Sequence, residues 1–184
     1  MKLQIYKISH PLIKIMLAQM EIEYLSKIDK KYYERYIGFL VIYEILRKYM
    51  TTQILHIKLL NGSKKIETVD IKKKYIILTN ISDTYSMIND IEYITSNIQI
   101  IHTEYEENNK IKNYINKISQ NAYIFIIEKN TKNYKIINLI EYLRKINHIK
   151  LKNISIGNIF SDSKTLKMLG EKYPEIKVYT TKIE

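Results

Sequence analysis

The chain has no cysteine and no tryptophan, only two prolines and only four glycines. Without cysteine it can form neither a disulfide nor a thiolate metal site. Its four histidines (His10, His56, His102, His148) are isolated from one another, so no metal centre built from His and Cys is expected. No run approaches the ~18 apolar residues of a membrane span, and the first residues carry neither a signal-peptide core nor a transit-peptide composition. The expectation is a soluble chain, beginning at Met1, with no membrane partner. The scarcity of glycine bears on chemistry, because loops that cradle phosphate need bare backbone.

What is present is a chain of 184 residues with 46% hydrophobic content, which suits one domain spanning residues 1–184. Isoleucine, lysine, asparagine and tyrosine dominate, and these are the residues of A- and T-rich codons. The net charge of +11 is therefore read as a solvated basic surface rather than a dedicated polyanion site. The same residue usage suits an organelle-encoded protein of a plastid (chloroplast) stroma, or a bacterial cytoplasm.

The stretch 121–144 organises the rest. Ala122 to Ile127 is an uncharged, β-branched and aromatic run expected of a strand buried on both faces. Glu128 to Tyr134 follows as a polar loop without glycine, and Ile136, Leu139, Ile140, Leu143 and Ile146 then recur at helical spacing. A loop placed outside the carboxyl end of a central parallel strand is where a ligand binds.

Elsewhere the spacing predicts a helix over 10–20 with Leu12, Ile15, Met16 and Gln19 on one face. A second helix is expected over 30–49, with Ser26 to Asp29 as its start signal and Gly38 marking close helix packing. Asn61-Gly62 predicts a hairpin between Ile54–Leu60 and Ile66–Ile71. Strands are expected at Tyr75–Leu78, Ile98–Ile101, Leu151–Ile156 and Ile176–Tyr179. Helices are expected after Asp83 through Thr95 and over Ser161–Lys172, with Ile111–Ile118 either helical or a flap. The alternation predicts a three-layer α/β/α fold with a predominantly parallel sheet, N-terminal helices and a small hairpin.

Ser9-His-Pro-Leu-Ile13, Tyr33-Glu-Arg-Tyr-Ile-Gly38 with Tyr43-Glu44 and Arg47, and Tyr173-Pro-Glu-Ile-Lys-Val-Tyr-Thr180 resemble, in order and spacing over nearly the whole chain, the uracil phosphoribosyltransferase family. The resemblance implies a phosphoribosyltransferase-like fold, and a transfer from phosphoribosyl diphosphate to uracil that forms UMP for pyrimidine salvage. It also implies a magnesium cofactor in active members and a homodimer. The match departs from the family where chemistry is done. The arginine and glycine of the diphosphate loop are replaced by Ser82 and Thr84, with Asp83 adding a negative charge. Glu106, in Tyr105-Glu106-Glu107, stands where the family has arginine. Glu128 matches the first aspartate of the signature loop, but its Thr-Gly-Gly falls on Asn133-Tyr134-Lys135. The family's Gly-rich uracil-binding segment lies past Glu184.

Three readings follow. In the first, the chain is a degenerate homologue with no catalytic residue, no metal and no cofactor. In the second it is active with a rebuilt site, where Glu128 is the ribose-side carboxylate and Lys129, Lys132 and Lys135 replace glycine amides as phosphate ligands. In the third, basic tyrosine-rich loops hold RNA or a protein, although most tyrosines are expected on inner faces or at strand ends.

Overall fold

The computed structural model describes residues 2–95, 97–104, 118–132, 135–147 and 149–184. A short strand, β1 (Gln4–Lys7), precedes two helices, α1 (Pro11–Met20) and α2 (Lys27–Tyr49). The hairpin β2 (Thr52–Leu59) and β3 (Gly62–Val69) leads to β4 (Tyr75–Thr79), α3 (Ile81–Ile94) and β5 (Ile98–His102). The chain closes with β6 (Tyr123–Thr131), α4 (Lys135–Asn147), β7 (Ile154–Ser161), α5 (Ser163–Lys172) and β8 (Lys177–Ile183).

Six strands pair in the order β1-β8-β7-β6-β4-β5, each neighbouring pair parallel. One face packs Phe125 and Ile127 against Val41 and Ile45 of α2, Met87 of α3 and Ile13 of α1. The opposite face packs Ile124 and Ile126 with Ile140 and Leu143 of α4 and Leu166 and Leu169 of α5. Helices therefore cover both faces, as the sequence predicts, and all five residues of β4 are buried.

Local chemistry explains the helix ends. The Ser26 hydroxyl accepts the Asp29 amide at 3.1 Å, so α2 starts three residues before the expected Lys30. Gly38 lies where α2 crosses α3; a Cβ there would stand 2.7 Å from Met87 Cα, which confirms close packing as the reason for the glycine. One turn away, Arg35 grips Asp90 of α3 through Nε and Nη2 at 2.7 and 2.6 Å. The hydrogen bonds and charge of Arg35 hold the Asp90 carboxyl below its ordinary range.

Several expectations are corrected. β1 has no counterpart in the sequence reading. α1 buries Ile13, Leu17 and Met20, while Leu12 and Ile15 are exposed, because a helix apolar on several sides leaves its docked face to tertiary packing. Glu128 to Thr131 is not loop but strand: ladder pairing of Glu128 with Asn158, Asn130 with Phe160 and Thr131 with Ser161 outweighs their polarity. Leu151–Asn153 is a 3-10 turn, so β7 begins at Ile154. The tyrosines divide: Tyr49, Tyr75, Tyr173 and Tyr179 are buried, but Tyr24, Tyr32, Tyr36, Tyr43, Tyr85 and Tyr93 are exposed. The expected helix or flap at 111–118 lies almost wholly outside the described residues, as do Glu106, Asn133 and Tyr134.

The hairpin turns through Leu60-Asn61, with Gly62 at φ 144° carrying the conformation that side chains rarely adopt. Its register sets Leu55 opposite Ile66 and Ile57 opposite Lys64, so Leu55, Ile57, Leu59 and Ile66 share one face. All four are exposed.

Candidate functional site

Chain order defines the site. From β4 the chain steps outward to β5, then returns to β6 on the other side of β4, which opens a crevice at the carboxyl ends of β4 and β6. A cavity of about 650 Å³ occupies that crevice, walled by the first turns of α2, α3 and α4.

Three of the four anticipated residues, Glu128, Lys129 and Lys135, line this cavity. The fourth, Lys132, does not; its Nζ lies 3.2 Å from Glu184 Oε2. Strand alternation separates Glu128 from Lys129. Lys129 reaches the α2 side and forms an ion pair with Glu34, a carboxylate only 4% exposed that also accepts from the Ser86 hydroxyl at 3.3 Å.

The sequence reading missed the α2 wall. Lys27, Lys30, Lys31 and Glu34 all face the cavity. Their i, i+3, i+4, i+7 spacing is the available signal, obscured because the helix was expected to begin only at Lys30. Five lysines thus meet four carboxylates, Glu34, Asp83, Glu104 and Glu128. Near balance of charge makes a weak attractor for a polyanion.

The first turn of α3 holds Ser82, Asp83 and Thr84, and its amides are already engaged. Ile81 N–H donates to His102 Nδ1 at 3.1 Å and Ser82 N–H to Asn80 Oδ1 at 3.2 Å. The amides of Asp83 and Thr84 both donate to the Asn80 carbonyl at 3.1 Å. Asn80 Nδ2 in turn donates to Asp83 Oδ2 at 2.8 Å. Thr84 is fully enclosed, its hydroxyl 2.6 Å from that of Thr79 and donating to the Asn80 carbonyl at 2.8 Å. A helix start that would ordinarily offer amides to an anion is here closed by its own asparagine.

Beside it, His102 is less isolated than its sequence neighbours suggested, with Nε2 3.5 Å from Glu104 Oε1. Even so, among the described residues no three His, Asp or Glu side chains converge as a metal cage. Of the four carboxylates, Glu34 is paired with Lys129, and Asp83 Oδ2 accepts from Asn80 Nδ2.

Below the cavity, the strand ends are tied by a buried polar chain. Asn158 Nδ2 donates to Thr131 Oγ1 at 2.5 Å, and the Ser161 hydroxyl donates to Asn158 Oδ1 at 2.9 Å. With its partners supplied, this chain fixes β6 against β7 rather than presenting a reactive group.

The model of the uracil phosphoribosyltransferase family matches residues 7–184. A uracil phosphoribosyltransferase homolog from Porphyra purpurea is 26% identical over 183 residues, covering 100% of this chain and 89% of that protein. A solved structure of a protein from Aquifex aeolicus superposes with a TM-score of 0.71 at 16% identity, over 98% of this chain and 88% of that one, and so supports the fold.

Proposed function

This chain belongs to the uracil phosphoribosyltransferase family, and from that premise we propose that it keeps the family scaffold but no longer transfers ribosyl 5-phosphate to uracil. The observation that carries this reading is the closed first turn of α3. An anion seeking the amides of Ile81, Ser82 and Asp83 must displace three existing hydrogen bonds, each worth about 0.5–1.5 kcal/mol net. A loss of about 1.5–4.5 kcal/mol reaches, at its upper end, the difference between micromolar and millimolar affinity. Asp83 and Glu128 then repel what remains.

A second reading is favoured by the α2 wall. Lys27, Lys30 and Lys31, with Lys135 opposite, supply ammonium groups that could neutralise a diphosphate arriving with magnesium. In this version the enzyme still forms UMP and serves pyrimidine salvage. Calorimetry with phosphoribosyl diphosphate and magnesium, against plain diphosphate at two salt concentrations, separates the two. No saturable binding, or equal and salt-sensitive binding of both, is expected; micromolar, salt-resistant binding of the donor alone would establish the rebuilt site.

The uncovered hairpin face supports a homodimer. A lone two-stranded ribbon is marginal in water, and a second copy would cover Leu55, Ile57, Leu59 and Ile66. Light scattering should return twice the 22.1 kDa chain mass at micromolar concentration, and Ile57→Lys should halve it. A wild-type monomer throughout that range would remove this assembly. Residue usage supports a plastid-encoded protein of the stroma, with a bacterial cytoplasm as the alternative.

A further inference from the structure

We propose that the outer edge of β1 is a docking strand for an extended acidic peptide. The inner edge of β1 pairs with β8 from Gln4 to Lys7, and the next amide, Ile8 N–H, donates to the Thr180 carbonyl at 2.8 Å. Alternate residues of a parallel strand direct their amide groups to the same neighbour, so Ile5 and Lys7 present theirs outward. Among the described residues no strand meets that edge, and all four residues of β1 are exposed. Such an edge is a template for another strand.

The two faces of β1 differ in ways that define the occupant. Toward α2, the Tyr6 ring stacks on Tyr179 at 4.8 Å between centroids and lines a hollow of about 780 Å³ with Arg47 and Lys48. Toward α5, Leu3, Ile5, Leu166 and Pro174 line a mainly apolar hollow of about 740 Å³. A strand added to β1 sends successive side chains alternately into the two hollows. The α2 side carries Lys48 and an Arg47 paired with Glu44, and the α5 side Lys2 and Lys167 against Glu171. Acidic residues alternating with aliphatic ones satisfy both sides. A second copy pairing through its own β1 would offer Gln4-Ile-Tyr-Lys7, a segment with no acidic residue to meet Arg47 and Lys48.

The test uses fluorescein-labelled Glu-Val-Glu-Ile-Glu-Val-Glu, with Lys-Val-Lys-Ile-Lys-Val-Lys as control. Fluorescence anisotropy should show saturable, salt-weakened binding of the acidic peptide alone, and hydrogen exchange should slow at Ile5 and Lys7 when it binds. Ile5→Pro removes an outward N–H while leaving the bonds to β8, and Lys48→Gln removes a positive charge from the α2 side while its amide can still meet the Tyr6 hydroxyl that Lys48 Nζ reaches at 3.1 Å. Each should weaken binding by about tenfold, the effect of losing one hydrogen bond or one well-placed charge. Equal binding of both peptides, or wild-type affinity in a folded Ile5→Pro protein, would leave only diffuse charge attraction and overturn the proposal. Protection of Ile5 and Lys7 in the protein alone, rising with its concentration, would assign the edge to a second copy and overturn it equally. Hairpin-mediated dimerisation changes mass without that protection, and donor binding occurs at the other end of the sheet, so neither outcome is confused with this one.

Discussion

Replacing Gly38 with alanine lowers the melting temperature by about 6–12 °C, because each kcal/mol shifts a domain of this size by about 2–4 °C and the net loss is about 3 kcal/mol. On propensity alone the change should help: alanine is better than glycine in a helix by about 1 kcal/mol. Geometry opposes it. The new Cβ would lie 2.7 Å from Met87 Cα and 2.6 Å from its Cγ. A flexible side-chain tip can swing aside, but Cα belongs to the backbone of α3, so the helices themselves must separate. That strains the buried contacts of Ile37 and Val41 and the Arg35–Asp90 pair. Overpacking of this kind costs about 1–3 kcal/mol and more where backbone must move. Gly170 is the internal control. Its nearest neighbour would be Leu3 Cβ at 3.4 Å, an ordinary contact, so Gly170→Ala should leave stability unchanged or raise it by up to ~1 kcal/mol. Thermal unfolding followed by circular dichroism reads both. If the two substitutions shift the midpoint in the same direction, the close crossing of α2 and α3 is not what selects glycine at position 38.

Lys129→Met should cost about 3 kcal/mol, three times as much as Glu34→Gln, although both break the same ion pair. The asymmetry comes from burial: the Glu34 side chain is 6% exposed and that of Lys129 36%. Without lysine, a carboxylate stays behind in the interior with only the Ser86 hydroxyl at 3.3 Å. Without the glutamate charge, the ammonium group of Lys129 turns toward the cavity and is hydrated, leaving about 1 kcal/mol of lost hydrogen bonding. The double variant should therefore be more stable than Lys129→Met alone, since a neutral glutamine removes the orphaned charge. Denaturant titrations of the wild type, both single variants and the double variant complete the cycle. Equal costs for the two single changes, or a double variant weaker than either, would show that Glu34 is not effectively buried. The consequence for ligands is direct: Lys129 is held by a carboxylate of the fold and is not a spare cation for phosphate.

An element is legible in the sequence when the residues that stabilise it lie close together in the chain. Ala122 to Ile127 needed no partner to be recognised, because five isoleucine and aromatic residues in succession suit a strand covered on both faces. The next four residues were misread because their strand character comes from pairing with Asn158 to Ser161 on β7. β1 escaped notice for the same reason: four exposed residues carry no burial pattern of their own, and β8 from the far end of the chain makes them a strand. Within the site, Glu128, Lys129 and Lys135 were legible from their position after a central strand. Lys27, Lys30, Lys31 and Glu34 belong to a helix about a hundred positions earlier, and only folding brings them opposite.

By itself the sequence determined the alternation of strands and helices and the burial of β4 and β6. These are local properties, carried by side-chain period and residue type. The tertiary structure alone decided that His102 accepts from the first amide of α3, that Lys129 is paired with Glu34, and that, among the described residues, no strand pairs with the outer edge of β1. The first two depend on groups distant in the chain meeting at hydrogen-bond or ion-pair distance, and no periodicity along the sequence encodes which distant partner a polar group will find.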